Sequence, residues 1–268
     1  MTSITSIISI RSFSSIRKQQ RFDSIIELIS PSSRVVADIG ADHGLLSLTI
    51  AEHDNVNKVF TVDLSPLALA GARRNLESSP LNIQNKVTII EGDGLNPILS
   101  TNTDVDTIIL AGMGTNTAKS ICNQNHLNMI KCNSIILQPW PPHLVPVIKL
   151  YKHLLDTNNW KIEEQRVVQN GAYQHLTTSF VRSKNIDGDD KNSILNWPLT
   201  KRLSKQNKSE ENKIFIDYLN NQNNNFFRVK KNKSKSIVTL IIDENDKNHH
   251  DIITSAEKDI THILQQWS

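Results

Sequence analysis

The chain predicts an α/β fold. Its sheet has seven strands, mostly parallel, ends in an antiparallel hairpin, and is followed by a C-terminal helical extension. Three observations lead there. Five short β-branched apolar runs follow one another between Arg34 and Trp140, with helix-like segments between them. The runs are apolar without alternation, as strands of a parallel sheet covered on both faces must be. After the fifth, the rhythm changes to two strand-like runs around "QNGA", residues 169–172, with no room for a helix between them.

The elements follow in order. "FDSIIELI" reads as the first helix of the folded part. "RVVADI" is a strand entering a glycine turn, and "LLSLTIAEH" a short helix after it. "KVFTVD" is the second strand. In "SPLALAGARRNLES" Ser65 stands where an N-cap is needed and Pro66 where a first helical residue tolerates proline. "KVTIIEGD", "DTIILAGMG" and "SIILQPW" supply strands three to five, with helical segments near 115–130 and 143–156. In "WKIEEQRVVQNGAYQHLTTSFVRS" an Asn-Gly between two apolar runs signals a hairpin. Five strands in βα alternation closed by a hairpin is the layout of a Rossmann-like class I methyltransferase fold, not of a six-stranded dehydrogenase domain.

These elements divide the chain at 1–20, 21–184 and 185–268. "KNIDGDDKNS" is a turn- and charge-rich boundary. Beyond it, "EENKIFIDYLNN" has amphipathic helical spacing, and the Asn-rich "NNQNNN" reads as a loop. "SIVTLII" is a last apolar run before an acidic helical tail. This part is too short of apolar residues to form its own core, so it is expected to pack on the main domain.

Composition narrows the classes. No apolar run reaches the roughly 20 residues of a membrane span. Cys122 and Cys132 form neither a disulfide framework nor a paired-cysteine metal knuckle. Net charge is +3, unevenly spread: residues 199–236 hold ten Lys and Arg against three acids, a local +7. That density suits a polyanion such as RNA, and equally a solvated linker. The first 21 residues carry six serines, arginines at 11, 17 and 21, and no acid before Asp23. Such a start is expected of an organellar presequence cleaved before "FDSIIELI". Mitochondrion is the first expectation; plastid and a frayed tail are the alternatives.

In an open parallel sheet, ligands sit beyond the carboxyl ends of the strands, where strand order reverses. The first strand end supplies Asp38, Gly40, Asp42, His43 and Gly44. Gly40 permits close backbone approach, and Gly44 lets the next helix start tight against the sheet. The second supplies Asp63, with Leu64 beside it, 25 residues beyond Asp38. A carboxylate there can accept from both hydroxyls of an adenosine ribose. The third supplies Asp93 and Gly94 in "EGDGL", where a carboxylate can receive an exocyclic adenine amine. Acids at three successive strand ends disfavour a phosphate-rich cofactor, because like charges repel. They suit S-adenosylmethionine, which has no phosphate and carries a sulfonium and an ammonium.

The fourth strand end is "AGMG", Ala111, Gly112, Met113 and Gly114, with backbone carbonyls and no nucleophile. Methylation of a ring nitrogen needs none. It needs the nitrogen, the methyl carbon and the sulfur in line and sheltered from water. Asp42 and His43 lack further ligands at metal spacing, and "NHH", residues 248–250, lies in the tail, so no metal is expected. His43 is expected to orient Asp42 or touch the methionine part of the donor. Asp42 has two readings: facing the sulfonium, or stabilising a base that acquires charge.

These residues resemble the bacterial TrmK-type tRNA (adenine-N1)-methyltransferases. "ADIGADHG", "GDGL", "IILAGMG" and "IILQP" carry the resemblance, which runs from about Arg21 to Arg182 and more weakly through "FIDYL". It implies S-adenosylmethionine as donor and a helical, often coiled-coil C-terminal part that meets tRNA. It also implies cofactor roles for Gly40, Asp42, His43, Asp63, Asp93 and Gly94, with Gly112 to Gly114 near the reacting centre. The chain departs from the family pattern at Thr115, where a glycine is usual, at Trp140, where an asparagine follows Gln-Pro, and at Gln174, where a glutamate follows the tyrosine. Trp140 and Tyr173 are candidates to stack on a flipped base. The expected activity is methylation of adenine N1 in tRNA. A methyltransferase for a protein or small molecule, and a non-catalytic RNA-binding protein on the same scaffold, are the alternatives.

Overall fold

The structure, a computed structural model, describes residues 19–122, 124–157, 160–183, 194–203, 209–231 and 247–267. Residues 1–18 of the expected presequence, "KNIDGDDKNS" and "SIVTLII" lie outside the described residues.

The first described element is a helix over residues 19–26, α1. The strands are β1 (Val35–Ile39), β2 (Lys58–Asp63), β3 (Val87–Glu91), β4 (Thr107–Ala111), β5 (Ser134–Gln138), β6 (Trp160–Asn170) and β7 (Tyr173–Arg182). They form one sheet in the order β3-β2-β1-β4-β5-β7-β6. β1 to β5 pair in parallel, and β7 lies antiparallel between β5 and β6. Strand order reverses between β1 and β4, so the crevice of such a sheet opens above those two strands. The linking helices are α2 (Leu45–Ala51), α3 (Pro66–Glu77), α4 (Leu81–Gln84), α5 (Asn96–Ser100), α6 (Thr115–Ile121), α7 (Gln124–Met129) and α8 (Leu144–Thr157). Ser65 caps α3 as expected, its Oγ accepting the Ala68 N–H at 3.3 Å.

Both faces of the central strands β1, β2, β4 and β5 are covered, which is why these four carry no exposed polar face. Val36, Val59, Ile109 and Ile136 pack with Phe22, Ile25 and Leu28 of the N-terminal segment and Ile50 of α2. Their neighbours Ala37, Phe60, Ile108 and Ile135 point the other way, into a core shared with α6 and α8. Polar side chains buried in the sheet stand mostly where a partner waits. Arg182 donates to the carbonyls of Cys132, Leu127 and Ile130 at 2.7, 2.6 and 3.3 Å, tying β7 to the end of α7. Cys122 and Cys132 are free and buried, their thiols pushed up to about 12 and about 11 by desolvation.

Two expectations need correction in detail. The hairpin forms, but its two-residue loop is Gly171-Ala172, and Asn170 pairs with Tyr173 as the last strand residue. Gly171 takes the positive φ, 64°, that a primed hairpin turn requires at its first central position. The Asn-rich stretch is not a loop: α10 runs unbroken from Glu210 to Lys231. Its first half is anchored by buried Phe215, Tyr218 and Leu219. Once a helix is nucleated, each added residue gains a hydrogen bond, which outweighs asparagine's weak helix propensity.

The extension comprises α9 (Pro198–Arg202), α10 and α11 (Lys247–Trp267). Trp197, Leu199, Phe215, Leu219 and Ile260 belong to the same core as β4 and β5. Arg202 bridges Glu164 of β6 at 2.8 Å and Glu211 of α10 at 3.5 Å. No described helix is long and apolar enough to cross a membrane.

Candidate active site

The loop after β1 is shaped by three left-handed residues, Gly40, Asp42 and Gly44, with φ of 73°, 51° and 70°. Aspartate tolerates this conformation better than most side chains. At Gly40 a side chain would also collide with the Met113 methyl, since a Cβ there would stand 2.8 Å from Cε. The Met113 methyl ends a flexible side chain and can give way, so it is the left-handed φ that calls for glycine here. Gly44 opens α2 against α3, where a Cβ would press to 3.1 Å from Ala72.

The loop's backbone amides are almost all used internally. Gly40 and Ala41 donate to the Val62 carbonyl at 2.8 and 3.0 Å. Asp42 donates to Asp63 Oδ2 at 2.9 Å, and Gly44 to the Ala41 carbonyl at 2.9 Å. A dinucleotide loop needs those N–H groups for its pyrophosphate. This loop has turned three of them onto β2 and one onto itself instead, so both the charge of the site and its geometry disfavour a phosphate.

Asp63 closes that arrangement, accepting Asp42 N–H on one oxygen and Ser65 N–H on the other at 2.8 Å. Each oxygen keeps a lone pair for a hydroxyl donor. Leu64 beside it leaves an apolar side chain 65% exposed. Asp38 is buried under the loop and accepts Ser47 Oγ–H at 2.6 Å. Desolvation raises its pKa to about 6, against the hydrogen bond from Ser47 and the charge of Arg21, and with the charge of Asp63. His43 does not lie over the crevice floor. Its ring rests on α3 at Gly71, where a Cβ would overlap Nδ1. Its Nε2 is 3.8 Å from Asp42 Oδ1, both side chains being largely exposed. Asp93 is exposed at the β3 turn, its carbonyl accepting Asn96 N–H at 3.2 Å, and Gly94 packs on Ile121. Among the described residues no group of His, Cys, Asp or Glu is assembled to hold a metal.

At the β4 end, Ala111 leads into Gly112, whose N–H bonds the Gln138 carbonyl at 2.8 Å. Met113 accepts the Trp140 N–H at 2.8 Å, and Gly114 begins α6 with Thr115 as its first residue. Trp140 stacks on His175 at 4.7 Å and meets the edge of Tyr173 at 5.0 Å. Burial, then the charge of Arg21, lowers the pKa of His175 to about 4, so its ring is neutral. Gln174 accepts from Asn221 of α10 at 3.2 Å.

Three residues of this region carry no role in the sequence reading: Arg21, Gln138 and His175. Gln138 is fully buried, donating to Thr177 at 2.7 Å and Ser24 at 3.2 Å, and accepting from Arg21 Nε at 2.6 Å. A polar residue closing an apolar strand is the signal that singles out the aspartates, and it applies to Gln138 equally. Nothing local marks Arg21 or His175.

Of the basic stretch, Lys201, Arg202 and Lys213 have described side chains. Arg202 is taken up by structural ion pairs, and Lys213 pairs at the surface with Glu210 at 3.4 Å. Lys205, Lys208, Lys233 and Lys235 lie outside the described residues.

Residues 18–176 match the family model described as "Methyltransferase domain". The tRNA (adenine(22)-N(1))-methyltransferase of Bacillus subtilis (strain 168) is 27% identical over 124 residues, 46% of this chain and 50% of that protein. The chain thus aligns with only half the length of that curated relative. Among solved structures, M. capricolum TrmK in complex with S-adenosyl-homocysteine superposes with a TM-score of 0.67 at 19% identity. The match covers 92% of this chain and 98% of that one. The B. subtilis TrmK tRNA methyltransferase superposes with a TM-score of 0.61 at 15% identity, over 91% and 97% of the two chains. At such identities the likeness is one of fold, over more than nine tenths of this chain.

Proposed function

The chain belongs to the methyltransferase-domain family, and from that premise we propose that it transfers a methyl group from S-adenosylmethionine to N1 of an adenine in tRNA. The observation that carries this reading is an acid-lined crevice whose loop amides are already bonded. Such a site suits a donor with hydroxyls and cationic groups and suits a phosphate poorly. When bound, the donor supplies an electrophilic methyl carbon on a sulfonium, with a neutral thioether as leaving group.

The roles of the chain's own residues follow. Asp63 takes the ribose hydroxyls on its free lone pairs while Leu64 lies against the adenine. Asp93 and Gly94 border the exocyclic amine. Asp38, Gly40 and Gly44 shape the floor beneath the methionine portion. Asp42 stands at the mouth, with His43 bracing the loop on α3 through the contact with Gly71. Ala111, Gly112, Met113 and Gly114 form the wall where the acceptor base enters. Methyl transfer to N1 breaks the carbon–sulfur bond, leaves its electron pair on sulfur, and puts a positive charge on the ring. The Asp42 carboxylate facing that charge stabilises it, and carbonyls of the wall orient the adjacent amine. Trp140 and Tyr173 provide aromatic faces at the same wall for a base taken out of its stack.

The 27% identity to a tRNA adenine methyltransferase and the local +7 of residues 199–236 support tRNA as acceptor. The Arg- and Ser-rich start supports import into an organelle, the mitochondrion first. Arg21 is packed on Gln138 at the carboxyl edge of the sheet, which favours a cleavage point upstream of α1 over one before Phe22 in this import reading.

Incubation of the full chain with unmodified tRNA and labelled donor, followed by nucleoside mass spectrometry, should show 1-methyladenosine. Asp63→Ala should weaken donor binding at least about tenfold by calorimetry, the loss of a charge-assisted hydrogen-bond pair. Donor binding without methylation of any RNA would overturn the tRNA reading. Full activity in a chain lacking residues 1–21 would overturn the presequence boundary.

A further inference from the structure

The crevice contains a cation that the reading above does not use. Arg21 reaches from α1 across the end of β4, and its guanidinium occupies the space over Gly112, where a Cβ would stand 2.7 Å from Nη2. Gly112, with φ 78°, is thus the residue that makes room for it. The guanidinium is held by one edge only: Nε donates to Gln138 Oε1 at 2.6 Å. Gln138 is in turn locked by Thr177 and Ser24, and Ser24 Oγ donates back to the Arg21 carbonyl at 2.8 Å. Of five guanidinium donors, the four on Nη1 and Nη2 have no partner among the described residues.

Among the described residues no carboxylate forms an ion pair with this group. Asp38 acts on it through space, but no ion pair joins them, and Asp38 Oδ2 is held by Ser47. A half-buried guanidinium fixed through Nε presents its Nη edge as a ready fork for a planar anion. The proposed donor has one such group. Its hydroxyls, ammonium and sulfonium are matched by acids, but its carboxylate has no counterpart in the loop after β1, whose amides are bonded to Val62, Asp63 and Ala41.

We infer that Arg21 is the carboxylate-binding residue of the methyl-donor site, gripping the methionine carboxylate with its Nη edge while Gln138 fixes its orientation. The inference rests on the donor reading of the site. The α1 residues that carry it are then part of the cofactor site and not a leader to it.

Calorimetry on the full chain separates the possibilities. The ligands are S-adenosylhomocysteine and its decarboxylated counterpart, which differ only in the carboxylate. Arg21→Gln should lose at least about tenfold in affinity for S-adenosylhomocysteine and less than about twofold for the decarboxylated ligand. Arg21→Lys, keeping the charge without the fork, should fall between wild type and Arg21→Gln. Equal losses for both ligands in Arg21→Gln would overturn the inference, since they would report a disturbed fold. So would unchanged S-adenosylhomocysteine binding with weakened tRNA binding, which would place a phosphate on Arg21. A wild-type chain that binds neither ligand would overturn the donor reading itself, and the inference with it.

Discussion

Asp38 shows what a buried carboxylate at a strand end does to its protein. Its folded pKa lies near 6, above the ordinary value of 3.8, chiefly because burial penalises the charge. The folded state therefore holds a proton that the unfolded chain releases between about pH 4 and 6. Stability from this group is full below that window and is lost as pH rises through it, by on the order of 3 kcal/mol for a shift of this size. Asp38→Asn keeps an oxygen for the Ser47 hydroxyl and removes the charge. It should flatten the pH dependence between 4 and 6 and raise stability at pH 7, read by urea denaturation at both ends of the window. An unchanged slope would show that the carboxylate is neutralised by a partner other than Ser47 and Arg21. Asp63 accepts a backbone N–H on each of its two oxygens, so it organises the loop while keeping lone pairs open to a ligand.

At the scale of elements, α10 is more than a cover. Tyr218 donates to the Pro142 carbonyl at 2.9 Å, and Gln222 accepts the Leu144 N–H at 3.1 Å. Leu144 opens α8, and a helix's first amides have no partner within the helix. A side chain from the extension therefore caps a helix of the catalytic fold, just after the segment that carries Trp140. Tyr218→Phe should cost about 1 kcal/mol and Gln222→Ala about 1–3, the latter because it leaves a buried N–H unpaired. Together they should lower methylation of tRNA while leaving S-adenosylhomocysteine affinity within about twofold, because the donor side of the crevice is untouched. A matching loss of ligand affinity would show that α10 supports the whole crevice.

For the whole molecule, the sheet and the extension share one core. Trp197, Leu199, Phe215, Leu219 and Ile260 are each 2% exposed or less, packed in the cluster that contains the β4 and β5 side chains. A chain ending at Ser183 would expose that surface, so it should lose near-ultraviolet circular dichroism and aggregate. A soluble, donor-binding fragment would show that the two parts fold apart. If the basic stretch meets tRNA, affinity should fall steeply with salt. Replacing the lysines of 230–235 should then reduce the logarithmic slope by roughly 0.7–0.9 for each phosphate no longer neutralised.

The strands, the hairpin, the glycines and the acids at the strand ends are legible in the chain because each is marked locally. Apolar runs show strands, positive-φ turns favour glycine, and a charge that closes an apolar run has no other reason to stand there. The Asn-rich helix is not legible, because its stability comes from Phe215, Tyr218 and Leu219 packing on a distant sheet and not from its own propensities. Nor is Arg21, which reads as the end of an exposed basic leader. Only the folded chain sets it against Gln138, 117 residues away, and turns a surface-type arginine into a fixed guanidinium over Gly112. Local pattern determines which residues reach the carboxyl edge of the sheet. Which of them face one another, and which charge is left for a ligand, is decided when helices far apart in sequence pack on that edge.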